Sequence, residues 1–167
     1  HIPQSDILST TNLSRVFNST TATYKFYWFL SLLQMHNEEG AYRMRVWDLV
    51  IRMVANAWFP IHYFHLSFGS MDSLNKIVTE LQWITALPMD ARREDVIACL
   101  KDRLDNKEVK KLLTTLTVNV PYRFLSPWIN YTSGSDVINR SHTYENGCLY
   151  SIQKSKTEFF ITLNPVW

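Results

Sequence analysis

The chain has 167 residues, 46% of them hydrophobic and 14% aromatic, with a formal net charge of +2 and only four glycines. This length predicts one domain, large enough to bury a core without disulfides. The small charge neither indicates nor excludes a nucleic-acid partner, and the scarcity of glycine argues against a turn-rich all-β fold. We therefore expect long helices joined by few tight turns.

Two isolated thiols, Cys99 and Cys148, fall in segments that we assign to different elements. They favour a reducing compartment over a disulfide framework, so we expect a cytoplasmic location. No signal peptide or membrane span is visible in the sequence, and no membrane partner is expected. Because the chain begins at His1 without a methionine, we expect it to be a fragment of a longer protein.

The N-terminal part predicts two helices. The first runs from Thr11 to Phe17. The second is centred on residues 20–33, TTATYKFYWFLSLL, with Asn18 and Ser19 as caps and its end near His36 to Gly40. Apolar residues lie on every side of this second helix, which is typical of a membrane span or of a buried helix. The run is short for a span and contains a lysine, so it predicts a central core helix.

Four further helices follow, each with an apolar stripe at helical spacing. We expect Pro60 to interrupt the first of them before a kinked helical continuation to Phe68, and Arg45, Asp48 and Arg52 to form a solvated salt-bridge face. Asp105 with Glu108 predicts a capping box for the last one. The stripes are Val46, Leu49, Val50, Met53 and Ala57; Leu74, Ile77, Val78 and Leu81; Val96, Ile97, Leu100 and Leu104; and Val109, Leu112, Leu113 and Leu116.

The character of the sequence changes after the last of these helices. Residues 118–147 read as a proline-bounded aromatic segment, VPYRFLSPW, followed by a polar loop. Residues 148–152 and 159–163 then predict a hairpin with a charged turn. We therefore predict a mainly α, multi-helix globular domain with a helical core over residues 11–117 and a small C-terminal β-hairpin over residues 148–163.

Several strings carry a resemblance to a known family: LSRVFNSTTATYKFYWFLSLL, MVANAWFPIHYFHLSFG, VPYRFLSPW and the closing CLYSI hairpin. Together they resemble the amino-terminal region of bacterial HNH endonuclease domain-containing proteins, over nearly the whole chain. In such proteins a helical region precedes an HNH nuclease module. The resemblance implies a nuclease in the parent protein, with a divalent metal in that downstream module.

The HNH site itself is missing from this chain. His142, in RSHTYENG, is the one nearby candidate for the histidine base. Ser141 precedes it where an acid or histidine ligand is needed, Asn146 follows too soon, and no later histidine occurs. We therefore expect no catalytic residue and no cofactor within these residues.

Two other clusters contain residues that can ligate metals or transfer protons. His62 and His65 are three residues apart, as two metal ligands on a helix would be, but no third ligand lies in that segment. We interpret them as spacers in an aromatic-packed segment and expect no metal site. Glu38 and Glu39 beside His36 read as a solvated helix end before Gly40.

The candidate DNA-binding residues are basic. Arg103, Lys107, Lys110 and Lys111 would form one positive patch if the helix ran on through Asn106, although acids share the segment. Arg123 lies between aromatic residues, and we favour a structural ion pair, for example with Asp48, over a phosphate contact.

Two functional hypotheses follow. In the first, the chain is the non-catalytic amino-terminal domain of an HNH-endonuclease-like protein and positions double-stranded DNA or supports the nuclease module. In the second, it is a protein-interaction or self-association scaffold, because aromatic residues are abundant and some of them would form an exposed apolar patch. The aromatic residues behind this second hypothesis are Trp47, Trp58, Trp83, Trp128 and Trp167.

Overall fold

The computed structural model describes residues 9–18, 23–64 and 73–167. These residues are mainly α-helical and include a small antiparallel sheet, which confirms the predicted fold class. The helices are α1 (Thr11–Val16), α2 (Tyr24–Glu39), α3 (Val46–Phe64), α4 (Ser73–Thr85), α5 (Arg93–Asp102), α6 (Lys107–Thr117), α7 (Val120–Phe124) and α8 (Gly134–Ser141). The strands are β1 (Arg43–Arg45), β2 (Tyr150–Lys154) and β3 (Phe159–Leu163), with a 3₁₀ turn at Glu145–Gly147.

Helix α3 is the central helix of the fold. Eleven of its 19 residues are buried, including its whole predicted stripe, and it packs against α2, α4, α5 and α6. Pro60 lies inside the helix, which runs unbroken to Phe64, so the predicted interruption is wrong. The helical continuation past the proline is confirmed that far. The rest of the predicted continuation, residues 65–68, lies outside the described residues.

Helix α2 is buried on one side only, so the prediction that it is the central core helix is wrong, and α3 has that position. Trp28 is fully buried, whereas Phe26 and Leu33 stay 53% and 43% exposed. Ser31, a polar residue of the apolar run, is fully buried because its hydroxyl donates to the Tyr27 carbonyl at 2.8 Å. One satisfied serine therefore lies in the core while two large apolar side chains face outward.

Some helix ends lie where the sequence predicts them, and others do not. Gly40 ends α2 in the left-handed conformation, with φ of 63°, as predicted. The helix begins only at Tyr24, so Asn18 does not cap it, and Ser19 lies outside the described residues. At α6 the cap is Asn106 instead of Asp105, because the Asn106 side chain accepts from the N–H groups of Glu108 and Val109.

The sheet has the order β1-β3-β2, and every pair of neighbours is antiparallel. The predicted hairpin is confirmed as β2 and β3, and β1 is an additional strand that the sequence analysis missed. Met44, Ile161 and Ile152 are paired across the three strands and buried. Because side chains alternate along a strand, Arg43 and Arg45 lie on the opposite face of the sheet from Met44.

Residues 130–147 are not the polar loop that was predicted, since α8 occupies much of this segment. Its N-terminus is capped by the Ser133 hydroxyl, which accepts from the Asp136 N–H at 3.2 Å. The end of α8 then covers the outer edge of β2. Ser141 Oγ accepts the Ile152 N–H at 3.0 Å, and His142 Nε2 donates to the Ile152 carbonyl at 2.8 Å.

Candidate nucleic-acid interface

A cleft of about 590 Å³ opens between the β2–β3 turn and the C-terminal end of α6. Its walls come from β1, the start of α3, the end of α6 and the β2–β3 hairpin. The cleft is lined by Arg45, Trp47, Thr114, Thr117, Val118 and residues 154–160.

The cleft carries an excess of positive charge. Three cations, Arg45, Lys154 and Lys156, line it together with a single carboxylate, Glu158. That carboxylate is already paired with Arg43, at 3.8 Å between Nη2 and Oε2. Among the described residues, no ion pair involves any of the three lining cations. An anionic ligand would therefore meet charge that the protein itself leaves unneutralised.

The local sequence explains where these cations lie. Strand alternation turns Arg45 away from the core because its neighbour Met44 is buried. The turn between β2 and β3 is held by Ser155, whose N–H donates to the Glu158 carbonyl at 2.8 Å. The Ser155 hydroxyl also accepts the Glu158 N–H, at 3.1 Å. This closed turn places Lys154 and Lys156 at the mouth of the cleft.

Aromatic rings form part of the same wall. The guanidinium of Arg43 lies over Phe160, with 4.2 Å between Cζ and the ring centroid. The ammonium of Lys154 lies 4.9 Å from the centroid of Phe159. Such contacts are attractive and fix the cations against the sheet. Trp47, near the start of α3, is half-buried against the core and borders the cleft.

Three of the basic residues predicted from the sequence extend this surface. Lys107, Lys110 and Lys111 are exposed on α6, and helical spacing puts all three on the face that carries Thr114, which lines the cleft. Lys110 is one turn from Thr114, or about 6 Å along the helix axis. We call these three residues the α6 lysine row.

The other two predicted DNA-binding residues lie elsewhere. The helix does not run on through Asn106, because α5 ends at Asp102 and α6 begins at Lys107. Arg103 therefore leaves the patch, and its Nη1 donates to the Ile84 carbonyl at 3.4 Å.

Arg123 is exposed on α7 and does not form the predicted ion pair with Asp48. No described carboxylate pairs with it, and it does not line the cleft. Its charged neighbour is Lys25 of α2, whose pKa is lowered by burial first and by the Arg123 charge second.

The carboxylates near the end of α2 take part in ion pairs between helices. Arg52 donates to Glu38 at 2.7 Å and to Glu39 at 3.2 Å, so it does not form the predicted face with Arg45 and Asp48. Arg93 also reaches Glu38, at 3.2 Å. Hydrogen bonding to Arg52 is the main reason that the pKa of Glu38 is lowered.

The histidine candidates have packing roles where the structure describes them. His62 is buried against Trp58, with 4.9 Å between the ring centroids, and His65 lies outside the described residues. His142 is held by the edge of β2. In the described ranges, no three His, Cys, Asp or Glu side chains come together as a metal site would require.

Sequence reasoning missed the cleft cations Arg45, Lys154 and Lys156. The two lysines were visible as part of the charged hairpin turn, and Arg45 was assigned to a helix face.

Comparisons with protein-family models, curated proteins and solved structures gave no significant match. None of the described helices has the length and apolarity that crossing a bilayer requires.

Proposed function

We propose that this chain is a non-catalytic domain that binds DNA through its phosphates and positions it for an HNH-type nuclease module. The observation that carries the binding step is the cleft, with three unpaired cations and one carboxylate already held by Arg43. The nuclease module, its divalent metal, its bacterial origin and a cytoplasmic location belong to the same proposal. They are supported by the resemblance of the four strings and, for the location, by two free thiols.

The arrangement suits a phosphate backbone better than a small anion. Phosphates along DNA recur every few ångströms, and each lysine or arginine that meets one releases condensed counterions. The cleft supplies three cations, and the α6 lysine row adds three more on the helix face that carries the cleft-lining Thr114. Lysine ammonium groups on flexible side chains adapt to such a backbone without reading its sequence.

The test is binding to a short labelled DNA duplex across a salt series. Wild-type protein is compared with a Lys154→Gln/Lys156→Gln variant. A Lys76→Gln/Arg92→Gln variant is the matched control, because it removes the same charge from exposed sites on α4 and before α5. We expect the cleft variant to lower the log–log salt slope by about 2, at about 0.9 per phosphate contact. An unchanged slope, or an equal loss in the control, would refute the cleft as the binding site.

The scaffold hypothesis is supported by a separate observation. Trp83 on α4 is 79% exposed, and Phe59, Tyr63 and Phe64 form an exposed ring cluster at the end of α3. Trp58 and Trp128, by contrast, are buried and offer no such surface. Sedimentation of wild type against Trp83→Ser would reveal self-association that depends on Trp83. Absence of DNA binding at low salt, together with a Trp83-dependent dimer, would favour the scaffold.

A further inference from the structure

Trp47 is an aromatic side chain with an unused polar group at the edge of the cleft. It packs against the core on one side and lines the cleft on another. Its indole N–H makes no hydrogen bond to any described residue, and its ring makes no contact with a described ring or cation. Trp47 therefore offers a ligand in the cleft an aromatic ring, and its indole N–H is a donor that no described residue occupies.

The other two rings in the cleft wall are already covered by cations. Arg43 lies over Phe160 and Lys154 over Phe159. Trp47 is therefore the ring in this wall that can receive another planar group. Arg45, two residues earlier and also in the lining, has no ion pair with any described residue. The cleft thus combines a stacking surface with a bidentate phosphate donor.

The volume of the cleft lies in the range of small-molecule sites, which admits one nucleotide among other ligands of that size. Small-molecule sites commonly enclose about 300–1,000 Å³, and this cleft measures about 590 Å³. The bases of a duplex are stacked on one another and hidden from a protein ring, so only an unpaired base can lie flat against an indole. Sites for single strands use this combination of aromatic stacking and backbone cations.

We infer that the cleft binds one unpaired nucleotide of a DNA strand, with its base stacked on Trp47 and its phosphate held by Arg45 and the lysines of the β2–β3 turn. This inference rests on the proposed function, since it specifies which part of the DNA enters the cleft. Duplex DNA would then lie along the α6 lysine row, and an unpaired base at an end, gap or flap would enter beside Trp47.

The test compares a single-stranded oligothymidylate with an abasic phosphodiester strand of the same length, at one salt concentration. Base–aromatic stacking predicts that the oligothymidylate binds about tenfold more tightly or better. This advantage should vanish in Trp47→Leu, which keeps apolar bulk against the core, and persist in Trp47→Phe, which keeps a ring. Circular dichroism and thermal unfolding of both variants check that the fold is intact.

The remaining outcomes separate this inference from the proposed function. Equal affinity for the two strands, with binding still weakened by Lys154→Gln/Lys156→Gln, would overturn the base contact and leave phosphate binding standing. Absence of binding to either strand and to duplex at low salt would overturn both. Competition by free thymidine monophosphate as strong as that of the strand would overturn the assignment to a DNA strand, because the site would then serve a free nucleotide.

Discussion

Trp28 donates its indole N–H to the hydroxyl of Tyr150 at 3.1 Å, across 122 residues of sequence. The same hydroxyl donates to the Pro121 carbonyl at 2.6 Å. Both rings are fully buried, so α2, α7 and β2 meet at one hydrogen-bonded point in the core. Burial raises the pKa of Tyr150 well above its ordinary value, which keeps the hydroxyl protonated and able to donate.

Replacing Tyr150 by phenylalanine should destabilise the fold by roughly 1–3 kcal/mol, because it leaves two buried polar groups without a partner. The ring and its packing are kept, so the loss would report the hydrogen bonds. Urea unfolding measures the effect, with Tyr131→Phe as the control, since Tyr131 is 57% exposed. Equal unfolding midpoints for the two variants would contradict the role assigned to this hydroxyl.

Replacing Ser141 by alanine should remove a hydrogen bond that caps the outer edge of β2. The Ser141 hydroxyl accepts the Ile152 N–H and donates to the Ile138 carbonyl. Its loss leaves the buried Ile152 N–H without an acceptor. We expect a cost of about 1–2 kcal/mol in the free energy of unfolding and faster hydrogen exchange at the Ile152 amide. Ser135→Ala, at an exposed position of the same helix, is the control. Unchanged protection of the Ile152 amide would disprove the capping role.

Replacing Arg140 by glutamine should change the acid dependence of stability. Arg140 binds both carboxylate oxygens of Glu145, at 2.8 and 2.5 Å, and this hydrogen bonding is the main cause that lowers the pKa of Glu145. A carboxylate with a lowered pKa stabilises the fold above its ordinary value of 4.5 and loses that contribution as the pH falls through the lower folded value.

The wild type should therefore lose stability more steeply than Arg140→Gln as the pH falls below 4.5. The free energy of unfolding, measured by urea titration from neutral pH downward, gives both curves. Arg92→Gln removes an exposed arginine that pairs with Asp95 and serves as the control. If the free energies of unfolding of wild type and Arg140→Gln fall in parallel below pH 4.5, the Arg140–Glu145 pair does not cause the acid dependence.

The α6 lysine row should contribute to duplex binding independently of the cleft. Lys110→Gln/Lys111→Gln should lower the salt slope by up to about 2, in proportion to the phosphates these residues meet. Arg103→Gln and Arg123→Gln should leave the slope unchanged, because neither residue belongs to the α6 lysine row or lines the cleft. If Arg103→Gln or Arg123→Gln lowers the salt slope more than the double lysine variant does, the interface lies on another surface.

Hydrophobic periodicity in the sequence predicted the long helices and the hairpin, whose two strands are close together in the chain. The stripes of α3 and α4 and the β2–β3 hairpin follow from spacing alone, because their partners lie nearby or their apolar faces are wide. Strand β1 could not be found this way. It has only three residues, Arg43–Arg45, and it is a strand because β3 pairs with it from the far end of the chain.

The same limit applied to the candidate site. The α6 lysine row lies within one helix, so its spacing was visible in the sequence. The cleft was not visible, because Arg45 comes opposite Phe160 only through the register of β1 on β3. The side of α2 that is buried was missed for a related reason, since Trp28 is oriented by Tyr150, which lies in another element.

The central position of β3 in the sheet has a consequence for how the protein forms its cleft. Met44 pairs with Ile161, more than a hundred residues later, so the sheet closes a very long loop of chain. Loop closure over such a distance is entropically costly and makes the pairing late compared with helix formation. During synthesis on the ribosome, α2 and α3 emerge long before β3. The cleft is completed only when β3 joins, so a partly made chain carries its helices without a complete cleft.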